Sequence, residues 1–359
     1  MSGAQKAVFA DAQSKLLIRT DIGPHEPADN ELLINVQYTG VNPADVRHAT
    51  ALGINSTVLG YDFSGRVVKA PAQSKFKQGD IIAGYTPTGI PRPAKYGAYQ
   101  HQLVAPENMV FSIPANLPET HAAALAVVSM TAADALYNLF GFPLPTNPGK
   151  FDSPILIWGA SSGVGITAVQ FARASGYRNI ITTSSPGRFD LLKRLGAAHL
   201  FDYSSPTVVE DICAKVEEIG QGPITHALDS IGSGGRPMSS QLVLDCVDDS
   251  ATLACTTIAV SKRFKMPVAM THLPFQIKPP GAPGVISIPA RPADHWNAWK
   301  AFEWAIQNYG SAFELPAVEV IEATAEQALE EANKVANGAR GFGKRVFKMP
   351  FKWSALVEL

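Results

Sequence analysis

Short apolar runs alternate with amphipathic stretches through the middle of the chain. Ile155–Trp158 is wholly apolar, as in a strand buried on both faces, and helical spacing of apolar residues over 163–175 follows it. Further strand-like runs cover 180–183, 199–201, 225–229 and 251–258, and the helical segments between them cover 187–195, 208–218 and 239–246. Repeated strand–helix units predict a parallel sheet joined by right-handed crossovers.

The first third of the chain has a different pattern. Short strand-like runs bounded by Gly, Pro, Asp and Asn cover 7–10, 32–38, 65–68, 81–85 and 98–104. Alanine-rich sequence with helical spacing from Glu119 to Leu139 predicts a pair of helices. We therefore expect a β-rich part followed by an α/β part.

The last third is less regular. Residues 261–294 are rich in proline and lack a clear period, so an irregular segment is expected there. Helical spacing returns over 295–309 and 326–337, and a last strand is predicted over 345–348. The first of these helices is expected to have an apolar face, formed by Trp296, Trp299, Phe302 and Ile306.

Composition narrows the classes of protein. The chain has 359 residues, 46% hydrophobic and 17% charged, which is enough for a substantial core and two domains. A net charge of −1 argues against a nucleic-acid surface or a polybasic membrane anchor. Three cysteines without a C-x-x-C pair favour a reducing compartment, and no apolar run approaches a membrane span. We expect a cytoplasmic protein with no nucleic-acid or membrane partner.

A glycine-rich turn joins the first apolar strand to its helix. Its spacing is Gly159-x-x-x-Gly163-x-Gly165. Such a turn directs backbone N–H groups and the positive end of a helix at one point, which suits a pyrophosphate. The predicted phosphate contacts are Ser161, Ser162, Gly163, Val164 and Gly165.

The residues after the second strand indicate which dinucleotide binds. An NAD site usually has an acidic residue about 20 positions beyond the glycines, where it bonds the ribose 2′-hydroxyl. This chain instead has Ser184, Ser185 and Arg188 in that region. Hydroxyls and a guanidinium favour a 2′-phosphate, so the predicted cofactor is NADPH.

Six motifs occur in an order that resembles one known family across nearly the whole chain. They are Gly40–Asp45, Leu59–Gly65, Phe76–Asp80, Tyr96–Tyr99, Gly159–Gly165 and Gly341–Val346. The chain resembles the medium-chain dehydrogenases/reductases. That resemblance implies a GroES-like β-rich catalytic domain over 1–128 and 295–359. It also implies a Rossmann domain, with a doubly wound parallel sheet that binds NADPH, over 129–294.

Within that family the chain resembles the zinc-free branch of quinone oxidoreductases and enoyl reductases. The zinc alcohol dehydrogenases place a cysteine where Asn42 stands and a histidine where Tyr61 stands. An amide and a phenol are poor zinc ligands, since zinc requires thiolate, imidazole or carboxylate donors. No metal is therefore predicted.

A narrower resemblance is to the fungal trans-acting enoyl reductases that serve polyketide synthases. It is carried by Asn42–Arg47, Leu59–Gly65, Gly141–Pro145, Thr183–Leu191 and Phe201–Tyr203. The resemblance implies that Ser184, Ser185, Arg188 and Tyr203 surround the 2′-phosphate. It also implies that Ser129 and Thr131, with Thr131 opening the helix that links the domains, lie near the nicotinamide with Asn42. Ile231, Thr257 and Phe342 complete the predicted cofactor contacts.

Reduction of an enoyl thioester needs a hydride at the β-carbon, a proton at the α-carbon and a donor near the thioester oxygen, where negative charge develops. Arg47 is the candidate donor, because the resemblance places a cation facing the cleft at this position; a plain surface arginine is the alternative. Either Tyr61 or water delivers the proton, and Tyr61 could equally be a packed core residue. For Thr131 the alternative is a helix cap.

The expected activity is NADPH-dependent reduction of an activated C=C bond in an acyl thioester, with a polyketide synthase as partner. One alternative is a quinone or small-enone reductase, and another is a nucleotide-binding partner that has lost catalysis. A monomer is expected rather than a homodimer, because the prolines of 261–294 fall where a sheet edge would pair and proline blunts strand pairing.

Overall fold

The computed structural model describes residues 6–268, 272–339 and 341–352. The chain divides into two compact units. The first unit comprises Met1–Val127, Leu273–Ala290 and Pro316–Leu359, and the second comprises Val128–His272 and Arg291–Leu315. The described part of the chain holds no helix that is both long enough and apolar enough to cross a bilayer.

The secondary structure is given in chain order. The strands are β1 (Ala7–Ala10), β2 (Leu16–Arg19), β3 (Glu31–Gly40), β4 (Thr57–Val58), β5 (Asp62–Lys69), β6 (Ile81–Tyr85), β7 (Gln102–Pro106), β8 (Val110–Ser112), β9 (Ile155–Trp158), β10 (Ile180–Ser184), β11 (His199–Asp202), β12 (His226–Asp229), β13 (Thr252–Cys255), β14 (Phe264–Lys265), β15 (Phe275–Ile277), β16 (Ile286–Ile288), β17 (Val318–Ile321) and β18 (Lys344–Lys348). The α-helices are α1 (Pro43–Ala51), α2 (Glu119–Ala122), α3 (Ala126–Ala133), α4 (Gly163–Ala174), α5 (Phe189–Leu195), α6 (Val208–Ile219), α7 (Ser239–Asp245), α8 (Pro292–Gln307) and α9 (Ala325–Ala336). Short 3-10 helices cover Ala94–Tyr96, Glu107–Met109 and Pro186–Arg188, and a π-helical turn covers Asp134–Leu139.

The first unit is built on a mainly antiparallel sheet. Its strand order is β17-β18-β3-β5-β6-β8, with β7 also paired to β3, and β2-β1-β4 form a smaller sheet. Helix α9 packs against α1 and β1, and its buried residues include an alanine stripe of Ala325, Ala328, Ala332 and Ala336. Small side chains at helical spacing let the neighbouring elements approach closely, so α1 is held firmly at the side of the sheet.

The second unit is a parallel sheet in the order β11-β10-β9-β12-β13-β14. Strands β9 and β12 are neighbours, and the chain winds outward from them in opposite directions. In such sheets the carboxyl ends of the two central strands leave a crevice in which ligands bind. The predicted doubly wound parallel sheet is confirmed, and the glycine turn after β9 lies at this crevice.

The sequence pattern missed several short elements. The apolar residues of helix α1 are small, and only Asp45, Val46 and Ala49 are buried on it. Within the proline-rich segment, β14 extends the parallel sheet and β15 pairs with β16 in a hairpin. The expectation of an irregular segment was wrong there, because strands of two or three residues show too little periodicity to detect; residues 269–271 lie outside the described residues.

One predicted helix face needs a correction. Trp299, Phe302 and Ile306 are buried on α8, but Trp296 is 39% exposed and His295 is buried in its place. At 100° per residue, Trp296 lies at the border of the face whose centre is near His295 and Trp299.

The compact units and the predicted domains divide the chain differently in two segments. Residues 273–290 group with the first unit, and 291–315 with the second, where Arg291 donates to both carboxylate oxygens of Asp134 at 3.0 and 2.9 Å. The domain limits inferred from the resemblance remain a prediction.

Candidate active site

The glycine turn is held in one conformation by contacts among its own residues. Ser162 caps α4, and its Oγ accepts the N–H of Gly165 at 2.9 Å. Gly159 has φ +75°, and a Cβ on Gly165 would lie 2.6 Å from the carbonyl oxygen of Gly159. Only glycine allows α4 to begin this close to the end of β9, so the amino end of the helix opens beside the crevice.

Two residues that the sequence reading missed support this turn from β12. Asp229 ends β12, and its Oδ1 accepts the N–H groups of Ile231 at 3.1 Å and Gly232 at 2.9 Å. The Oγ of Ser230 lies 2.7 Å from the carbonyl oxygen of Trp158 and 3.0 Å from the Oγ of Ser162. The sequence did contain a signal for these residues, since the predicted strand that becomes β12 ends in an acidic residue. The carboxyl ends of neighbouring parallel strands lie at the same edge of a sheet, so this acid should lie near the glycine turn.

Ile231 and Thr257 lie at the same edge of the sheet. Ile231 is 42% exposed, and a Cβ on Gly159 would lie 2.1 Å from its Cγ1. The Oγ1 of Thr257 donates to the carbonyl oxygen of Gly232 at 3.2 Å. The structure thus brings both residues together with the predicted phosphate contacts Ser161 to Gly165.

The residues predicted around the 2′-phosphate follow two neighbouring strands. Ser184 is the last residue of β10 and pairs with Asp202, the last residue of β11. Ser185 is exposed, Arg188 ends the 3-10 turn that follows, and Tyr203 is 54% exposed. Ser185, Arg188 and Tyr203 therefore follow the carboxyl ends of β10 and β11, whereas Ser184 is buried within β10 and its Oγ donates to the carbonyl oxygen of Ser185 at 3.2 Å.

Asp202 is an acidic residue at this edge that the sequence reading did not weigh. Its Oδ1 accepts the N–H of Ser204 at 3.0 Å and the hydroxyl of Ser204 at 2.7 Å. These hydrogen bonds lower the pKa of Asp202 below its usual value, so the carboxylate stays ionised. The guanidinium and hydroxyl groups predicted to surround the 2′-phosphate must therefore offset the negative charge of Asp202 nearby.

Asn42 in the first unit is clamped between opposite charges. Its Nδ2 donates to Asp62 Oδ2 at 2.9 Å, and its Oδ1 accepts Lys344 Nζ at 2.6 Å. Its backbone N–H donates to Asp45 Oδ2 at 2.7 Å. Asp62 Oδ1 also accepts the N–H of Val127 at 2.9 Å. The charges on both sides determine the orientation of the amide.

Burial sets the electrostatics of this cluster. Desolvation raises the pKa of Asp45 to about 7 and raises that of Asp62, while desolvation lowers the pKa of Lys344. Asp45 accepts the local N–H of Asn42, whereas Asp62 accepts N–H groups of Asn42 and Val127, which are distant from it in the chain. Lys344 was missed because a lysine in a glycine-rich segment looks like a surface residue.

Tyr61 is a buried residue in a hydrogen-bonded network. Its hydroxyl lies 2.9 Å from His48 Nδ1 and 3.3 Å from Thr88 Oγ1, and its side chain is 2% exposed. Desolvation raises the pKa of Tyr61 above its usual value. Desolvation and the charge of Arg92 lower the pKa of His48 to about 4. At neutral pH the tyrosine is therefore protonated and the histidine is uncharged.

Arg92 lies under this network. Its guanidinium carbon is 4.4 Å from the centre of the Tyr61 ring. Its N–H groups donate to five oxygens at 2.7 to 3.0 Å, on Val58, Gly60, Thr86, Pro87 and Tyr96. A buried cation satisfied in this way ties the loops around Tyr61 together.

Arg47 is exposed on α1, next to His48 in the chain. Its guanidinium makes no hydrogen bond or ion pair with any residue that the structure describes. An uncommitted guanidinium can orient an oxyanion. This position is compatible with both interpretations of Arg47, a donor to the thioester oxygen and a plain surface arginine.

The position of Thr131 corrects one prediction. Helix α3 begins at Ala126, so Thr131 lies in its interior and neither opens nor caps it. Alanine-rich sequence with strong helix propensity starts the helix several residues earlier. Ser129 on the same helix is fully buried, and its Oγ has no hydrogen-bond partner among the described residues.

Phe342 lies just before β18 and is half-buried. Its carbonyl oxygen accepts the Nη1 of Arg345 at 3.3 Å. The structure leaves its predicted contact with the cofactor as a prediction.

The donor chemistry at the positions of the zinc ligands does not fit zinc. The Asn42 amide is engaged by Asp62 and Lys344, and the Tyr61 hydroxyl by His48 and Thr88. Within residues 6–268, 272–339 and 341–352, no three His, Cys, Asp or Glu side chains are grouped to hold a metal ion.

Comparison with known proteins places the chain in a family. The model of the alcohol dehydrogenase GroES-like domain matches residues 28–115, and that of the zinc-binding dehydrogenases matches 163–274. The chain is 32% identical over 210 residues to the trans-enoyl reductase TOXD of Cochliobolus carbonum, covering 58% of this chain and 70% of that protein. It is 32% identical over 208 residues to the trans-enoyl reductase himH of Aspergillus japonicus, covering 56% of this chain and 59% of that protein.

A solved structure agrees in fold along almost the whole chain. The quinone oxidoreductase of Pseudomonas syringae pv. Tomato DC3000 superposes with a TM-score of 0.69 at 20% identity, covering 96% of this chain and 99% of that one. The chain belongs to the medium-chain dehydrogenase/reductase superfamily, in its enoyl reductase branch. The predicted combination of a GroES-like domain with a Rossmann domain is confirmed, and the chain is an oxidoreductase of a family that binds nicotinamide cofactors.

Proposed function

We propose that this protein is an NADPH-dependent, metal-free reductase of a C=C bond conjugated to a thioester, and that it acts on a polyketide intermediate held by a separate synthase. The edge of the parallel sheet where Ser185, Arg188 and Tyr203 lie beside the glycine turn is the observation that carries the proposal. The names of TOXD and himH as trans-enoyl reductases support an enoyl substrate.

The residues of the second unit fit a phosphorylated dinucleotide. Because Gly165 has no Cβ, α4 can begin in close contact with the backbone of Gly159 and Ala160, and its amino end would then face a pyrophosphate bound at the glycine turn. Ser184, Ser185, Arg188 and Tyr203 would hold the 2′-phosphate, and Ile231 and Thr257 would pack against the dinucleotide. The Oγ of Ser129, which is buried and has no hydrogen-bond partner in the described part of the chain, lies two residues before Thr131, the proposed neighbour of the nicotinamide. NADPH, when bound, supplies a hydride to the β-carbon of the substrate.

The first unit supplies the electrostatics of the reaction. Arg47 stabilises the negative charge that develops on the thioester oxygen, since a guanidinium stays charged and that of Arg47 has no partner among the residues the structure describes. The Tyr61 hydroxyl is buried and bonded to His48, which favours water as the source of the α-proton. Tyr61 then acts as a positioning residue that holds His48, and with it α1, in place.

The direct test is NADPH oxidation with a panel of α-methyl and unsubstituted enoyl thioesters of N-acetylcysteamine. Turnover of at least one thioester is expected. Turnover of free enones or quinones alone would identify a quinone or enone reductase instead. Binding of NADPH without consumption of any of these substrates would identify a nucleotide-binding partner.

Arg47→Ala tests the proposed oxyanion donor. We expect kcat to fall by about 100-fold, as on loss of other oxyanion contacts, while the Kd for NADPH changes less than about twofold. Lys15→Ala is the matched control, since it removes an exposed cation of the same unit. Unchanged kcat in Arg47→Ala would remove Arg47 from the mechanism.

A further inference from the structure

The first unit contains a cavity of about 720 Å³. It is lined by the carboxyl end of α1, residues of the 12–14 turn, the segment 90–92 and the loop between β15 and β16. The backbone N–H of Lys278 donates to the carbonyl oxygen of Leu52 at 2.7 Å, and a Cβ on Gly53 would lie 2.6 Å from the Lys278 oxygen. The hairpin loop is therefore fastened to the end of α1, and the cavity has the size of a small-molecule site.

Backbone strain is concentrated in the wall of this cavity. Ser14 and Ser56, with φ of 61° and 55°, are the only non-glycine residues of the described chain in the left-handed region, and both line the cavity. Asn55 donates to Ser14 Oγ at 3.2 Å, and Ser14 Oγ donates to the carbonyl oxygen of Ala49 at 2.7 Å. Such strain persists where surrounding contacts over-determine the backbone, and it clusters at ligand sites.

The lining carries positive charge and uncommitted polar groups. Arg92 and Lys278 line the cavity, and none of the described lining residues is acidic. Arg92 is committed to the oxygens around it, but the ammonium of Lys278 is exposed and has no partner among the described residues. Within the same residues, Ser56 Oγ and Asn55 Oδ1 also lack partners. The cavity thus offers a cation, a hydroxyl and an amide acceptor.

The cavity begins beside the proposed oxyanion donor. Thr50 lines it, and Arg47 lies about one helical turn earlier on α1. Arg92 both lines the cavity and contacts the ring of Tyr61. A thioester whose carbonyl lies at Arg47 can therefore extend its carrier arm over the end of α1.

We propose that this cavity binds the phosphopantetheine arm that carries the enoyl thioester, with its amide groups at Asn55 and Ser56 and its phosphate at Lys278. The inference rests on the proposed function. Coenzyme A and a carrier protein present the same arm, so its amides and phosphate are the chemistry that the cavity recognises.

The test compares one enoyl group on four carriers: N-acetylcysteamine, pantetheine, phosphopantetheine and coenzyme A. In the wild type we expect the KM for the phosphopantetheine thioester to be about tenfold below that for the pantetheine thioester. Lys278→Ala should abolish this difference and leave kcat and the KM for N-acetylcysteamine thioesters unchanged. Lys278→Arg should retain the preference, and Lys15→Ala is the control for loss of one surface charge. The backbone bond from Lys278 to Leu52 survives all these substitutions, so misfolding is not expected.

The outcomes separate this inference from the proposed function. No turnover of any thioester would remove the proposed function. Turnover of the N-acetylcysteamine thioester with equal KM values for pantetheine and phosphopantetheine, or a preference that survives Lys278→Ala, would overturn the cavity assignment alone. A preference lost in Lys278→Ala for both phosphopantetheine and coenzyme A would support it. The same enoyl group on an acyl carrier protein is then assayed as a fifth arm, and a lower KM for it than for the coenzyme A thioester would identify a carrier protein as the source of the arm.

Discussion

At the residue scale, the first unit contains charged groups that sequence reasoning assigns to the surface. Arg92 and Lys344 are both buried, and each is satisfied by specific oxygens. A lone buried charge is very costly, so these residues occur only where carbonyls or carboxylates converge. That convergence involves residues far apart in the chain, and no local pattern reveals it.

His48 gives the first unit a predictable dependence of stability on pH. Its folded pKa of about 4 lies below the ordinary 6.5, so between these values the unfolded chain takes up a proton that the folded chain refuses. Stability from this group is complete above pH 6.5 and declines as the pH falls towards 4. Glutamine does not titrate in this range. Between pH 7 and 4.5 we therefore expect His48→Gln to lose about 2 kcal/mol less unfolding free energy than the wild type loses.

Urea unfolding of the wild type and His48→Gln at both pH values measures this difference. The variant can lose stability at pH 7 through its Tyr61 contact, so the change with pH is the quantity to compare. Parallel pH profiles would show that His48 titrates normally in the folded protein.

At the element scale, long regular elements were predictable and short irregular ones were not. The bounds of β9, α4, α6 and α9 agree with the sequence pattern to within about one residue, because each has enough periodic apolar positions to reveal its type. Strands β4, β14 and β15 have two or three residues each and depend on their partner strands for stability. The π-helical turn after α3 also has no distinctive sequence signal.

Close packing at the junction of β9 and α4 predicts a large effect for an alanine substitution there and a small one for a control glycine elsewhere in the unit. In Gly165→Ala the new methyl would lie 2.6 Å from the Gly159 oxygen and 2.7 Å from the Ala160 Cα, both backbone atoms that cannot move freely. We expect unfolding free energy to fall by about 1–3 kcal/mol and NADPH binding to weaken at least about tenfold. Gly234→Ala lies in a loop of the same unit, and its new Cβ would have no atom of the described residues within 4 Å, so it should change stability by less than about 0.5 kcal/mol.

Denaturant titration and fluorescence titration with NADPH measure the two effects. Equal behaviour of Gly165→Ala and Gly234→Ala would show that the start of α4 yields easily and that the close packing is not required for binding.

At the scale of the whole molecule, the cofactor should stabilise the folded protein. The size of the increase in Tm should depend on whether the nucleotide carries the 2′-phosphate. Free NADPH at about 100 times its Kd adds about 2.7 kcal/mol to the folded state, which corresponds to about 5–10 °C in Tm for a unit of this size. In Arg188→Ala the increase in Tm caused by NADPH should fall to the increase caused by NADH, and the increase caused by NADH should be unchanged. Lys193→Ala, which removes an exposed charge from α5, should alter neither.

Differential scanning fluorimetry of the three proteins with each nucleotide makes this comparison. Equal shifts by NADH and NADPH in the wild type would contradict the assignment of the 2′-phosphate site, and Asp202 would then be the group to test for a ribose contact.

The sequence by itself determined the order of the strand–helix units and the glycine turn, because these depend on local periodicity and on residues within a few positions of one another, and its six ordered motifs indicated the family by resemblance. Tertiary structure decided the rest. It placed Lys344 and Asp62 on either side of Asn42, put Thr131 inside a helix and formed the cavity at Lys278 from segments more than 200 residues apart. Burial and convergence of distant groups set their pKa values and partners, and these arise only when the chain is folded.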